Sequence, residues 1–207
     1  MTFDPCHPGL VLVLRLFSQH ETGLKDDRYA PSFYPLFGGG WLILITDTRQ
    51  QAGKHQNIED YCRRKGIVMI RKALPCGDYM LSEDGENPCG DVIVDTKQDL
   101  MELCKDVMSN DHRRFRRQCE KAQEMGLKLI ILVEEAVPYG RVDMWNVPIW
   151  RSSSKFHRYG QPMTMVKPET FQKALKTMTE KYGVQFRFCN KRQTPERVIK
   201  YLKGEFK

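Results

Sequence analysis

The sequence predicts an α/β sandwich in which helices flank a central mixed β-sheet. Two observations lead to this fold class. Short apolar segments of strand length alternate with longer segments whose apolar residues recur at helical spacing. Glycine, proline and asparagine fall between these segments, where turns and helix ends favour them. Because alternating strands and helices commonly build one sheet covered by helices, we expect a single layered core.

The first half of the chain supplies four predicted strands and one helix. Residues 41–46 form a short apolar run that predicts the first strand, and residues 57–65 predict a helix that ends before a glycine. Further strands are predicted at residues 67–74, from Tyr79 onward and at residues 92–96. Since glycine, asparagine and proline separate the last two strands, we expect them to pair as a hairpin.

The second half continues the alternation. Its predicted elements are a helix from Leu100 to Met108, a helix around Phe115, a strand at 127–133, a helix at 171–182, a strand at 184–189 and a last helix from Thr194. Residues 127–133 are strongly apolar, which is typical of a strand in the interior of a sheet. Thr194 is expected to cap the last helix, because its hydroxyl suits that position and Pro195 suits the first turn.

Two segments interrupt this rhythm. Residues 1–40 mix proline, glycine, serine and isolated aromatics, so they are interpreted as a poorly ordered N-terminal arm or peripheral element ahead of a domain at 41–207. Residues 135–167 break the alternation and are interpreted as an insertion. Aromatic and cationic side chains interleave in this insertion. They either stack on unpaired bases or simply tie the insertion to its own domain.

The composition narrows the class of protein. A chain of 207 residues can bury a core without disulfides, and no apolar run approaches the roughly 18–20 residues that cross a membrane. We therefore expect no membrane partner. The 33 basic residues exceed the 26 acidic ones, and this net charge of +7 suits a polyanionic partner such as nucleic acid. Seven scattered cysteines fit reduced thiols inside a cell.

Four charged residues stand at the ends of predicted strands. Asp47 follows the first strand, Asp78 precedes the third, and Asp95 and Lys97 close the fourth, where strand alternation places them on one face. Carboxylates suit hard cations such as Mg²⁺, which polarise phosphates and activate water. The lysine can orient or deprotonate that water. The set predicts phosphodiester hydrolysis, and the alternative interpretation is a turn aspartate beside a surface ion pair.

Further motifs surround these residues in a defined order. They are Asp47-Thr48-Arg49, Leu74-Pro75-Cys76-Gly77-Asp78-Tyr79, Val94-Asp95-Thr96-Lys97, Asp99-Leu100 and Arg114-Phe115-Arg116-Arg117-Gln118-Cys119. In this order they resemble the XPF-type structure-specific endonuclease domain, the excision-repair cross-complementation group four nuclease domain. That domain belongs to the PD-(D/E)xK, restriction-endonuclease-like superfamily. The resemblance covers residues 41–205 and implies a restriction-endonuclease-like sandwich.

The resemblance also implies a site and a chemistry. It makes Asp47, Asp78 and Asp95 the metal-binding acids and Lys97 the catalytic lysine. The implied activity is a Mg²⁺- or Mn²⁺-dependent endonuclease that cuts branched, flapped or junction DNA, including partly single-stranded forms, during repair or recombination. Family members often work as dimers through this domain, so a homodimer or a partner subunit is expected.

Two cations join this implied site. Arg49 would sit at its edge, and Arg114 would point back from the long helix toward the site or the scissile phosphate. The alternative for Arg49 is a solvated loop cation. For Arg114, within the basic run of residues 112–117, the alternative is a solvated helix face, which is the usual fate of such runs. Asp99 is expected to cap the long helix rather than to bind metal.

The sequence also departs from the family pattern. Asp95 stands where the family usually has glutamate, Gln50 stands where an acid commonly follows Arg49, and the loop between Asp78 and Asp95 is long. Because catalytically silent partners occur in families of this type, the second hypothesis is a catalytically silent DNA-binding or scaffolding subunit of the same fold. The retained acids and lysine favour the enzyme. An intracellular location is expected, cytoplasmic for a prokaryotic or phage protein and nuclear for a eukaryotic one.

Overall fold

The structure is a computed structural model that describes residues 42–50, 53, 56–108, 112–136, 148–149 and 164–206. The predicted N-terminal arm lies outside these residues, as does most of the predicted insertion. In chain order the elements are β1 (Ile43–Asp47), α1 (Gln56–Lys65), β2 (Val68–Lys72), β3 (Tyr79–Ser82), β4 (Val92–Lys97), α2 (Leu100–Met108), α3 (His112–Glu124), β5 (Lys128–Val133), β6 (Pro148–Ile149), β7 (Thr164–Met165), α4 (Pro168–Tyr182), β8 (Gln185–Phe188) and α5 (Thr194–Leu202). The predicted strands and helices are all present, with their ends shifted by a few residues.

Six strands form one mixed sheet in the order β2-β1-β3-β4-β5-β8. Strand β1 runs parallel to β2, β3 is antiparallel to both of its neighbours, and β4, β5 and β8 run parallel to one another. This confirms the α/β fold class, the β3–β4 hairpin and the interior position of β5. The direction of the strands brings the end of β1, the start of β3 and the end of β4 to the same edge of the sheet.

Strand alternation divides the core into two layers. On one face, Ile93 and Ile131 pack against α2, α3 and α4. On the other face, Val94 and Leu132 pack against α1 and α5. The helices contribute apolar stripes of the expected spacing, such as Leu100, Leu103, Cys104 and Val107 of α2.

The same alternation places two charged residues of β4 under the helical layer. Asp95 and Lys97 follow Ile93 at intervals of two residues, so they project toward α2 and α3 rather than toward α5. All six residues of β4 are buried. The sheet therefore carries a carboxylate and an ammonium into its covered face at the carboxyl end of β4.

The predicted cap of the last helix is wrong. Thr194 is the first residue of α5 rather than its cap, and its hydroxyl lies 3.7 Å from the Sγ of Cys189. A short 3-10 turn, Lys191–Gln193, precedes the helix and begins with a capping box between Asn190 and Gln193. The capping function thus lies four residues earlier, because the chain turns before the α-helix begins.

Part of the predicted insertion is described at the backbone level. β6 and β7 pair as a two-stranded antiparallel ladder, and β6 lies beside α2. This small ladder is separate from the six-stranded sheet. Among the helices of the described ranges, none is both long and apolar enough to cross a membrane.

Candidate active site

A cleft of about 470 Å³ opens at the edge of the sheet where β1 and β4 end and β3 begins. The structure brings all six predicted site residues to its wall: Asp47, Arg49, Asp78, Asp95, Lys97 and Arg114. The rest of the wall consists of Gln50, Pro75, Cys76, Gly77, Thr96, Glu102, Arg117, Gln118 and Lys121. The residues come from the ends of two strands, β1 and β4, from the turns that follow β1 and precede β3, and from the helices α2 and α3, so the sheet and its covering helices position them.

Main-chain hydrogen bonds join the three strands behind the acids. The Asp47 amide donates to the Asp78 carbonyl at 2.9 Å, and the Asp78 amide donates to the Val94 carbonyl at 2.8 Å. Gly77 permits this approach, because it has a φ of +66° and a Cβ there would lie 2.9 Å from the Cγ1 of Ile93. The glycine of the Gly-Asp motif is therefore required by both backbone conformation and space.

Arg49 holds the carboxylate of Asp47. Its Nε donates to Asp47 Oδ2 at 2.8 Å, and its Nη2 contacts the same oxygen and donates to the Leu74 carbonyl at 2.8 Å. Asp47 is buried, and although burial acts to raise its pKa, the hydrogen bonds from Arg49 outweigh burial and lower it. Arg49 is therefore a partner of a buried acid and not only a solvated loop cation.

Asp78 is fixed to β4 through one of its oxygens. Its Oδ2 accepts hydrogen bonds from the amide of Thr96 at 2.8 Å and from the hydroxyl of the same residue at 2.7 Å. The acid at the start of β3 is thus tied to the residue between Asp95 and Lys97. This contact sets the side chain of Asp78 beside the two charged residues of β4.

Lys97 lies between two buried carboxylates. Its Nζ is 3.1 Å from Asp95 Oδ2 and 2.9 Å from Asp106 Oδ2. The three residues are 8%, 4% and 5% exposed, respectively, so the alternative of a surface ion pair is wrong. Burial alone would lower the pKa of Lys97, but the two carboxylates outweigh it and raise that pKa well above its usual value. Lys97 is therefore an ammonium in this arrangement.

Asp95 is another buried acid of the cleft. Burial raises its pKa to about 6, the nearby charge of Asp78 acts in the same direction, and Lys97 opposes both. The Nε2 of Gln118 donates to Asp95 Oδ2 at 2.8 Å. Asp95 thus receives hydrogen bonds from its own strand and from α3.

Two residues of this network, Asp106 and Gln118, had no predicted role. Asp106 sits at the border of the apolar stripe of α2, one helical turn beyond Leu103, and a carboxylate there was a weak signal. Gln118 lies in a motif that carried the family resemblance, but only the packing of α3 over β4 shows that it meets Asp95. The prediction that Asp99 caps α2 is confirmed, since its Oδ1 accepts from the Glu102 amide at 2.7 Å.

The basic run on α3 divides into cleft and surface residues. Arg114, Arg117 and Lys121 are three to four residues apart, so they share one helix face, and all three line the cleft. Arg114 has a side chain that is 78% exposed, and its Nη2 is 3.4 Å from Asp106 Oδ1. Arg116 instead pairs with Glu120 at 3.3 Å on the surface. Arg114 therefore differs from Arg116 in lining the cleft, although its side chain is the more exposed of the two.

The types of ligand in the cleft suit a hard cation, but the described side chains are not arranged around a common metal position. Three carboxylates, Asp47, Asp78 and Asp95, line one cleft, and Mg²⁺ or Mn²⁺ prefers such oxygen ligands. Within the described part of the chain, however, no three His, Cys, Asp or Glu side chains form a group that could hold a metal ion. Arg49 contacts the carboxylate of Asp47, and Lys97 contacts that of Asp95. Metal binding here requires them to exchange those partners for the ion.

The fold and the cleft define an α/β domain, and comparisons with known proteins place it. The sequence model of the ERCC4 domain matches residues 46–202, so the chain belongs to the ERCC4 domain family, whose members are generally nucleases. This confirms the XPF-type resemblance. The fold is similar to that of XPF from Aeropyrum pernix, with 18% identity and a TM-score of 0.50 over 79% of this chain. The similarity covers 66% of that XPF chain. No curated protein matches significantly.

Proposed function

We propose that this chain is a Mg²⁺- or Mn²⁺-dependent DNA endonuclease that hydrolyses phosphodiester bonds in branched, flapped or partly single-stranded DNA during repair or recombination. The observation that supports this proposal is the set of charged side chains that line the cleft. A buried ammonium, the three aspartates Asp47, Asp78 and Asp95, and a rim of three cations share one opening. Family membership supports the same reaction class.

The cations of α3 are proposed to bind the DNA backbone. Arg114, Arg117 and Lys121 extend along one side of the helix over about 10 Å at 1.5 Å per residue, which corresponds to about three phosphates of a strand at roughly 3.4 Å per phosphate along the DNA axis. Because these side chains stand at the mouth of the cleft, they would hold the strand over the acids. Their contacts to phosphate carry no sequence information, which fits a nuclease that recognises DNA structure.

Inside the cleft, Lys97 and the acids are proposed to act on one phosphate. Lys97, held as an ammonium, can donate to the attacking water or to a phosphate oxygen and offset negative charge that develops in the transition state. This geometry favours the electrostatic role over deprotonation of the water by the lysine. A divalent ion held by Asp47, Asp78 and Asp95 would supply polarisation of the phosphate and activation of water.

The remaining parts of the proposal concern assembly and compartment. We infer that the domain works as a homodimer or with a partner subunit and that it acts inside the cell, where its DNA substrates are found. Size-exclusion chromatography with light scattering tests the assembly. A strictly monomeric species whose specific activity, the cutting rate per protein molecule, does not change with protein concentration would rule out the homodimer.

Cleavage of a panel of labelled DNAs tests the activity. The panel contains flap, fork, four-way junction, duplex and single-stranded DNA with Mg²⁺ or Mn²⁺, and it compares wild type with Asp95→Asn. The matched control is Asp91→Asn, because Asp91 lies just before the same strand but is exposed and paired with Lys128. We expect cutting by wild type and Asp91→Asn and a loss in Asp95→Asn. Equal cutting by Asp95→Asn and wild type would rule out this site.

A second candidate function is a catalytically silent DNA-binding or scaffolding subunit. The observation that favours it is that Arg49 occupies Asp47 and Lys97 occupies Asp95, while the described residues hold no ready metal group. A manganese titration followed by thermal unfolding separates the two candidates. An enzyme predicts stabilisation by Mn²⁺ that Asp78→Asn reduces, and a silent subunit predicts no effect of Mn²⁺ on either protein.

A further inference from the structure

We propose that Asp106, on α2, is the positioning residue that holds Lys97 in its working orientation. This inference rests on the proposed function, since it concerns the lysine of the same cleft. The side-chain contacts described for Asp106 go to two cations of the cleft, Lys97 at 2.9 Å and Arg114 at 3.4 Å. Asp106 is only 5% exposed. It is therefore a buried acid whose described partners both line the cleft.

The geometry explains why a second carboxylate is needed. A lysine side chain is a flexible stem, so one contact leaves its ammonium able to swing. Asp95 and Asp106 approach Nζ from β4 and α2, at 3.1 Å and 2.9 Å. Since an ammonium has three hydrogens, two carboxylate partners leave it able to donate to a water or a phosphate oxygen in the cleft as well.

Asp106 also prevents Asp95 from being the sole partner of Lys97. With Asp106 removed, the ammonium would have Asp95 as its remaining described carboxylate and would settle on it. That pairing would keep Asp95 from other ligands and move the ammonium out of its position between β4 and α2. Asp106 thus shares the charge of Lys97 and keeps Asp95 available.

Asp106 also connects the inside of the cleft with its rim. Asp106 uses Oδ2 for buried Lys97 and Oδ1 for Arg114, whose side chain is 78% exposed. One carboxylate therefore joins the cation proposed to touch the scissile phosphate inside the cleft to a cation proposed to touch the backbone at its mouth. The fixed distance between them sets where a bound strand can place its phosphate.

A double-mutant cycle tests this role. Single-turnover cleavage and DNA affinity are measured for wild type, Asp106→Asn, Lys97→Ala and the double variant. Because Asn keeps the shape but not the charge, we expect Asp106→Asn to slow cleavage about 10–100-fold while DNA affinity changes less than about threefold. In the Lys97→Ala background the same change should alter the rate less than about twofold, since a positioning residue acts through its lysine.

The matched control is Asp99→Asn on the same helix. Asp99 caps α2 and is not in contact with Lys97 in the contacts described, and asparagine caps a helix about as well as aspartate does, so this variant keeps α2 and cleavage stays near the wild-type rate. Thermal melts confirm that each variant is folded at the assay temperature. Cleavage by Asp106→Asn at the wild-type rate would overturn the proposal. An equal loss with and without Lys97 would also overturn it, because that pattern indicates a structural role.

A spectroscopic readout separates this inference from the proposed function. If wild type cuts no DNA, the nuclease proposal fails, but the Lys97 ammonium can still be observed by ¹H–¹⁵N correlation. An ammonium pinned by two carboxylates exchanges its protons slowly, so we expect a signal in wild type and Asp99→Asn and its loss in Asp106→Asn. Lys97→Ala identifies the signal. An unchanged signal in Asp106→Asn would contradict the positioning role.

Discussion

Two ion pairs stand at opposite ends of the β4–β5 strand pair, and they differ in burial rather than in chemistry. Asp91 and Lys128 meet at 2.6 Å at the start of these strands, with side chains 57% and 51% exposed. Asp95 and Lys97 meet at 3.1 Å at the end of β4, with side chains 6% and 9% exposed. The shorter pair is the ordinary surface contact. The longer one, buried and shared with Asp106, belongs to the cleft.

The largest expected difference between the two pairs is in stability. Removing Lys97 leaves Asp95 and Asp106 buried without their cation, so Lys97→Ala should lower the free energy of unfolding by about 3–5 kcal/mol. Lys128→Ala should cost about 1 kcal/mol or less, because water replaces an exposed partner. Urea denaturation in the presence of a chelator measures both. Equal costs would show that the buried network contributes no more than a surface pair.

The two acids should also respond to pH in opposite directions. Because the pKa of Asp95 is raised on folding to about 6, the folded chain binds more protons than the unfolded chain between about pH 4 and pH 6. Its contribution to stability therefore falls as pH rises through that window. The hydrogen bond from Lys128 lowers the pKa of Asp91, so its contribution is present above about pH 4 and is lost in more acid solution.

Urea denaturation of the metal-free protein at a series of pH values checks this sign. We expect Asp95→Asn to make stability less dependent on pH between about pH 4 and pH 6, and Asp91→Asn to leave that window unchanged. The same slope in Asp95→Asn and wild type would mean that Asp95 is not the buried acid that the structure shows.

A smaller contrast separates two arginines of α3. Arg114 lines the cleft, whereas Arg116 pairs with Glu120 on the surface. We expect Arg114→Ala to reduce the slope of log affinity against log salt by about 0.7–0.9, the value of one lost phosphate contact, and Arg116→Ala to reduce it less. Fluorescence anisotropy with labelled flap DNA between low and moderate salt measures both slopes. Equal reductions would place the DNA over the whole helix rather than over its cleft face.

Much of the fold was predictable, because apolar spacing reports local structure directly. The runs that became β1, β4 and β5 and the stripes of α2 and α4 were identified, as were the acids at the strand ends. The N-terminal end of the last helix was not predictable, since a 3-10 turn, Lys191–Gln193, with Asn190 as its cap precedes the helix and no spacing signalled it. Local patterns fix where an element lies to within a few residues, but they do not fix how its end is built.

The side-chain contacts between residues of the cleft could not be predicted from the sequence. Asp106 and Gln118 meet Lys97 and Asp95 only because α2 and α3 cover β4, a contact between residues 9 to 23 positions apart in the chain. Arg49 was expected at the edge of the site, but the sequence did not indicate that it contacts Asp47 while it also donates to the carbonyl of Leu74, 25 residues further along the chain. The residue types of a site can be read from motifs, whereas its electrostatics depend on burial and packing.

Cleavage by two lysine variants tests the central claim most directly. Single-turnover cutting of a labelled flap DNA with Mg²⁺ or Mn²⁺ is measured for wild type, Lys97→Ala and Lys128→Ala. We predict that Lys97→Ala slows cutting at least about 100-fold, whereas Lys128→Ala stays within about twofold of wild type. Cutting by Lys97→Ala at the wild-type rate would contradict the site. Tight DNA binding by wild type without any cutting would contradict the enzyme and leave the silent subunit.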